Sequence, residues 1–176
     1  MKDAANATVT GFVGSVTVGI VAGTGTSGAT LSGTVSVAAV NGVANFSLSI
    51  NKKGTGYKLS ATAPTVSGAT SSGFNINAGA AALVVFTNDP GLATAGATIP
   101  GVSGPAVQVT IEDALGNLVS SSTANVTVAI STNPGDGTLS GTATVAAVAG
   151  VATFSNLSID KAGAGYTLTA TATGLD

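Results

Sequence analysis

The chain repeats itself, and the length of the repeat limits what it can fold into. Residues 31–62, LSGTVSVAAVNGVANFSLSINKKGTGYKLSAT, align with residues 139–171, LSGTATVAAVAGVATFSNLSIDKAGAGYTLTAT, at an offset of 108 that becomes 109 after one inserted residue near Asn156. Upstream, Ser15–Ile20 matches Asn125–Ile130 at an offset of 110, and Asp3 falls opposite Asp113. A period near 109 residues is the size of a sandwich domain and far too long for one turn of a solenoid. The ends of the chain are out of phase with this period. Residues 80–111, which include Leu83–Thr87 and Ala106–Ile111, have no counterpart in the first unit, and Ser71–Asn77 has none in the second. The organisation expected is therefore a first unit, 1–79, without its opening strands and a second, 80–176, without its last. Each incomplete sandwich leaves an open sheet edge and an uncovered strip of core unless another strand fills it.

Hydrophobic residues recur with the period of a half-buried strand. Val16, Val18 and Ile20 alternate with Thr17 and Gly19, while Val107, Val109 and Ile111 alternate with Gln108 and Thr110. Strands are predicted near 15–21, 34–40, 43–50, 56–63, 71–77, 82–87, 105–112, 124–131, 142–148, 150–157 and 165–173. Asn41-Gly42 fits a two-residue hairpin turn, with Ala149-Gly150 in the same place in the second copy. Pro64, Pro90, Pro100 and Pro134 fall between the predicted strands and Pro105 opens one, places where a missing N–H costs little. Short strands with turn signals every 8–12 residues predict an all-β chain of antiparallel sandwiches joined by Greek-key links.

Composition removes most chemistry. There is no His and no Cys, which takes away the imidazole base, the thiol nucleophile, the usual zinc ligands and any disulfide framework. The five basic residues, all Lys, face seven acids, so no basic surface for nucleic acid is expected. No apolar run is long enough to build a membrane-spanning helix, and the N-terminus carries no secretion-signal pattern, as in a processed chain or a piece of a longer one. Charged residues make up only 7% of the sequence against about a quarter in an ordinary domain. A surface of Ser, Thr, Asn and Gly has little charge repulsion to keep copies apart, which favours self-association.

The run Val107–Val119 (VQVTIEDALGNLV), followed by Val126-Thr127-Val128, Gly150–Phe154 (GVATF) and Gly165–Ala170 (GYTLTA), resembles bacterial immunoglobulin-like domains of the invasin and intimin kind. Those domains share a strand ending in Asp-x-x-Gly-Asn, a Gly-Val-Ala hairpin strand and a closing Gly-x-Tyr strand. The likeness covers nearly all of the second unit and, without the opening strands, the first, where the Asp-x-x-Gly-Asn element is reduced to Asp3-Ala4-Ala5-Asn6-Ala7. It implies a tandem immunoglobulin-like architecture and a place outside the cell or on its surface, where such modules serve as spacers or adhesive tips.

No residue is expected to be catalytic, to ligate a metal or to bind a cofactor. Glu112, Asp113 and Asn117 invite a calcium reading, but one acidic pair is poor in oxygens for that ion, and a turn held by Asp113 with Gly116 at positive φ explains them. Asp89 and Asp136 sit in turn sequences with no acidic equivalent in the first unit. Lys52 and Lys161 occupy equivalent glycine-rich corners, where solvated side chains are expected over an isopeptide cross-link. Tyr57 and Tyr166, each after Gly-x-Gly, suit the tyrosine corner of a sandwich. The Asn-x-Ser/Thr triplets at Asn6, Asn45, Asn125 and Asn156 are expected by chance in so Thr-rich a chain, two of them inside predicted strands. Thr167, Thr169, Thr171 and Thr173 form a hydroxyl ladder that β-propensity explains as well as an ice or glycan surface would.

The function expected is non-enzymatic: an extracellular structural repeat that builds a stalk or a head-to-tail filament. The alternative is an adhesion module gripping a glycan or protein receptor with its end loops; the absence of Trp and Arg speaks against it. Because the second unit lacks the strand that Ser72–Asn77 supplies in the first, a groove is expected along its sheet edge near Thr167–Thr173. A neighbouring repeat of the same chain, both ends then being cut edges of a longer array, is expected ahead of the other candidate, the segment Lys2–Thr10 of a neighbouring copy, which is expected to be poorly tied because its unit lacks its opening strands.

Overall fold

The computed structural model describes residues 1–3, 5 and 7–175. Among these there is no helix, and every strand pairing is antiparallel. The chain divides into two compact units, Met1–Asn77 and Ala78–Asp176.

The first unit contains β1 (Ser15–Ile20), β2 (Leu31–Gly33), β3 (Ser36–Ala38), β4 (Leu48–Ile50), β5 (Gly54–Tyr57), β6 (Leu59–Ala63), β7 (Val66–Thr70) and β8 (Phe74–Ile76). Its main sheet has the order β3-β1-β6-β7, with β2 on β4 and β5 on β8 as separate pairs. The registers Ala63↔Val66, Ser60↔Thr70, Tyr57↔Phe74 and Gly54↔Ile76 lie on one line. Thus β5–β6 and β7–β8 are the two arms of a single long hairpin, interrupted by small irregularities. The buried apolar residues of this unit are Val16, Ala39 and Tyr57, while Val13, Val40 and Val43 stay exposed.

The second unit contains β9 (Ala81–Asn88), β10 (Val107–Asp113), β11 (Asn125–Thr132), β12 (Leu139–Ser140), β13 (Thr144–Ala146), β14 (Val151–Phe154), β15 (Ser158–Ile159) and β16 (Thr167–Ala172). One sheet has the order β14-β10-β9 and another β13-β11-β16. Their inward side chains meet in a single core: Val107, Val109 and Ile111 of β10 and Phe154 of β14 from the first, Val126 and Val128 of β11 from the second. Two antiparallel sheets around one apolar layer are consistent with a β-sandwich.

The two units share one pairing plan. β11 lies between β13 and β16 as β1 lies between β3 and β6, and β12 pairs with β15 as β2 pairs with β4. They differ where a partner is present in only one of them. Gly150–Phe154 yields β14 because β10 lies beside it, with Val107 opposite Phe154. The near-identical Gly42–Phe46 has no such neighbour and is not a strand beyond the bridge at Val43. The strand expected over 43–50 therefore shortens to β4, and Asn45 lies outside any strand. Conversely β5 forms because β8 pairs with it, whereas the equivalent Gly163–Tyr166 is not a strand.

Hairpin chemistry explains the local turns. Asn41 and Gly42 have φ of 51° and 76°, and Ala149 and Gly150 have 51° and 82°, the paired positive values of a type I′ turn. The short strands β2, β7, β12 and β15 were not expected from the sequence.

Candidate functional site

The acidic motif of the second unit is a closed turn. Asp113 is 4% exposed, and its Oδ1 accepts the backbone N–H of Leu115 (2.9 Å) and of Asn117 (2.9 Å). Its Oδ2 accepts the N–H of Gly79 at 2.8 Å, and Asn117 Nδ2 donates to both oxygens at 3.1 and 3.0 Å. The Asn117 N–H, then the Gly79 and Leu115 donors, outweigh the cost of burial and hold the carboxyl down from 3.8 to about 2. A carboxylate engaged in this way is a structural clamp: it fixes the β10 turn and ties the chain just before β9 to it. Gly116, at φ 76°, closes the turn through its N–H to the Asp113 carbonyl.

The same clamp stands in the first unit although its motif is reduced. Asp3 Oδ1 accepts Ala5 N (3.0 Å) and Ala7 N (2.8 Å), and Asp3 N donates to Ala7 O as Asp113 N does to Asn117 O. The side-chain amide that Asn117 supplies has no equivalent at Ala7, and among the described residues no donor to the second Asp3 oxygen matches Gly79. Ala4 and Asn6, with the triplet that begins at Asn6, lie outside the described residues. Lys2 bridges Thr8, Val9 N donates to Met1 O and the terminal amine donates to Gly42 O. Met1, Lys2, Thr8 and Val9 are thus tied to their own unit, and the segment Lys2–Thr10 carries no aromatic side chain. That corrects the expectation of a poorly tied donor.

The other candidates are also placed by backbone work. Asn88, buried, donates from Nδ2 to Ala106 O (2.7 Å) and accepts from Ser103 N (2.7 Å), bracing the long 89–105 loop. Asn133 closes the loop around Asp136 through Gly137 in both directions. Asp160 accepts Thr138 N at 2.6 Å, as Asn51 accepts Thr30 N at 2.8 Å. Lys52 Nζ donates to Ser27 O at 3.1 Å, and Lys161 is exposed. Asn156 lies in a bend beyond β14 and binds Thr142 through both ends of its amide. Thr167, Thr169 and Thr171 are exposed on β16. Among the described residues no three His, Cys, Asp or Glu side chains gather in a metal-binding group.

Tyr57 and Tyr166 do form matching corners. The Tyr57 hydroxyl donates to Lys52 O (2.9 Å) and that of Tyr166 to Lys161 O (3.1 Å). Glycines make room for the rings: a Cβ on Gly135 would lie 2.4 Å from Tyr166 Oη, and one on Gly25 would lie 2.1 Å from the Tyr57 ring. The surroundings then diverge. Tyr57 is fully buried, its ring 6.1 Å from that of Phe74 in β8. Tyr166 is half-exposed and borders a cleft of about 610 Å³, between the β16 corner and the loop after β9. Leu92, Ile99 and Val102 form one wall, Tyr166 and Leu168 the other, with Ile159 between them. This cleft, built partly from loop residues, was visible in the sequence only as the missing counterpart of Ser71–Asn77.

No protein-family profile and no curated protein matches the chain. Among solved structures it is similar to two crystal structures of Parabacteroides merdae β-glucuronidase, at 16% and 15% sequence identity, with a TM-score of 0.40 in each case. The match covers 93% of this chain and 20% of each glucuronidase chain. A superposition that loose carries no implication for activity. No described helix is long and apolar enough to cross a membrane.

Proposed function

We propose that the chain is a non-enzymatic structural module, a stretch of immunoglobulin-like Greek-key sandwiches of the invasin and intimin kind that acts as a stalk or filament segment outside the cell. The observation that carries this reading is that one pairing plan, with its tyrosine corner and its aspartate clamp, is built at two positions of one chain. The polar residues that could have served chemistry are used to hold turns: Asp113 and Asp3 clamp hairpins, and Asn88, Asn133 and Asp160 brace loops. With 7% charged residues the surface is suited to packing against copies of itself.

The test is dimensional. Chains extended by further 109-residue periods are expected to lengthen in small-angle scattering in proportion to the number of periods. A radius of gyration growing only as about the 0.4 power of chain length, as in one compact body, refutes the stalk. Saturable binding to a glycan panel through the end loops would move the assignment to an adhesion module.

A further inference from the structure

The hairpin turns of the two units share a geometry but not a chemistry. In the first, Val40 and Val43 exchange N–H···O bonds at 2.8 and 3.0 Å across Asn41-Gly42, and in the second Val148 and Val151 do so at 2.9 and 3.0 Å across Ala149-Gly150. Both glycines are buried and tie the turn to the chain before it: Gly42 N donates to Phe12 O at 3.2 Å and Gly150 N to Ser122 O at 3.1 Å. The residue ahead of each glycine holds a φ of 51°. What differs is the side chain there. Asn41 is exposed and carries an amide carbon that the nitrogen of the next residue can reach by closing a five-membered ring; Ala149 carries none.

Asn41-Gly42 is the one Asn-Gly pair of the sequence. Every other asparagine precedes a residue whose side chain crowds its nitrogen, or Pro134, which has no N–H to lose. Glycine leaves that nitrogen open and lets the backbone swing through conformations closed to other residues. The native turn works against the ring. The Gly42 N–H is engaged by the Phe12 carbonyl, which favours its protonated form, and the paired bonds of Val40 and Val43 hold the Gly42 nitrogen in one fixed peptide plane.

We propose that Asn41 is a latent modification site: it deamidates when the 40–43 hairpin opens, and the closed hairpin holds the reaction back. In the open segment the Gly42 nitrogen loses its proton to hydroxide, and its electron pair bonds to Asn41 Cγ. The Cγ–Nδ2 bond breaks, and the amide nitrogen leaves as ammonia with a proton from water. The succinimide ring so formed takes up one water. Hydrolysis at Cγ breaks the new bond and leaves aspartate; hydrolysis at the Asn41 backbone carbonyl breaks the original peptide bond and leaves isoaspartate, with the chain running through Cγ. The two products have different fates. Asp-Gly suits a type I′ turn as Asn-Gly does, so the aspartate form closes again. Isoaspartate adds a backbone carbon between Val40 and Val43, and a turn matched to two residues no longer lets them exchange both bonds. The mark is one-way and falls on the first unit alone. It rests on the turn and is independent of the stalk reading.

The test follows the intact chain in mildly alkaline buffer by peptide-mapping mass spectrometry. Beside it, a synthetic peptide of residues 36–48, Ser-Val-Ala-Ala-Val-Asn-Gly-Val-Ala-Asn-Phe-Ser-Leu, serves as the open form. In the peptide Asn41 is expected to convert to aspartate and isoaspartate well ahead of Asn45, with release of ammonia. In the folded chain the same conversion should run more than about tenfold more slowly, since the three hydrogen bonds of the hairpin have to break first. Ala149→Asn should give the second unit the same slow reaction, and Asn41→Ala, which copies the second unit, should remove it from the first with the circular dichroism spectrum kept. If Asn41→Ala does not fold, the rates in the native chain and the peptide decide alone. Hydrogen exchange on the separated products should find the Val40 and Val43 amides protected in the aspartate form and unprotected in the isoaspartate form. Conversion of Asn45 as fast as Asn41 in the peptide overturns the site. Equal rates in the peptide and the folded chain overturn its control by the hairpin, and unchanged protection in the isoaspartate form overturns its effect on the fold.

Discussion

Phe46 and Phe154 occupy equivalent places in nearly identical sequences, yet their truncation should have unequal effects. Phe154 is 0% exposed because β14 pairs with β10 and its ring lies in the core with Val107, Val109 and Ile111. Phe46 is half-buried, since the first unit has no strand in the place of β10. A fully buried Phe removes on the order of 150–250 Å² from water, and truncation to Ala in a closed core costs about 3–5 kcal/mol once the cavity is included. At Phe46 roughly half that area is lost and no closed cavity remains, so the cost falls to about 1–2 kcal/mol. Native-state hydrogen exchange reads the two units separately, through the amides of β11 for the second and of β1 for the first. Phe154→Ala should lower protection in β11 by about two to four orders of magnitude, and Phe46→Ala should lower it in β1 by about one. Equal losses would refute the reasoning, because they would mean that β10 adds nothing to the burial of the Phe154 ring.

Three further outcomes follow from local geometry. The Asp113 carboxyl is held at about 2 in the folded chain against 3.8 for the ordinary group, so its contribution is complete above about pH 4 and is lost as pH falls toward 2. Urea midpoints measured between pH 2 and 5 should fall more steeply for the native chain than for Asp113→Asn, and parallel curves would contradict the clamp. Gly135→Ala sets a Cβ 2.4 Å from Tyr166 Oη and 2.6 Å from Ala162 O. It should cost about 1–3 kcal/mol in urea unfolding, while Gly11→Ala, with nothing within 4 Å, should stay within about 0.5 kcal/mol of the parent. Ala149 holds a φ of 51°, where the equivalent residue is Asn41; Ala149→Asn should raise stability by up to about 1 kcal/mol, read as a higher melting temperature.

What could be read in the sequence was what a residue's own neighbours decide. Alternation marked β1, β10, β11 and β16, and Asn41-Gly42 marked a hairpin, because period-two burial and positive φ are local properties. The tyrosine corners were legible for the same reason, since each hydroxyl reaches a carbonyl only five residues back. Val66–Thr70 was passed over because its side chains are all exposed and no apolar pattern marks it; β7 exists through its register with β6. The span 43–50 was read as too long because a strand in sequence is half of a pair, and the other half is missing from that unit. Legibility of the cleft was partial: alignment of the two copies showed which strand lacked an equivalent, but Leu92, Ile99 and Val102 come from a loop with no pattern of its own.

The two copies amount to an internal control on what sets local structure. Gly-Val-Ala-x-Phe is a strand beside β10 and not a strand without it, and Gly-x-Gly-Tyr is a strand beside β8 and not a strand without it. Each comparison differs at one residue, Thr153 against Asn45 and Thr55 against Ala164, and the member with Thr is the strand in both, so β-propensity acts in the same direction as the ladder of hydrogen bonds and the side-chain cover that a partner brings. The aspartate clamp behaves oppositely. At Asp3 it keeps the two local backbone bonds to its Oδ1, because those donors lie within four residues. A module of this construction therefore carries its turns with it and obtains part of its strands from what lies alongside.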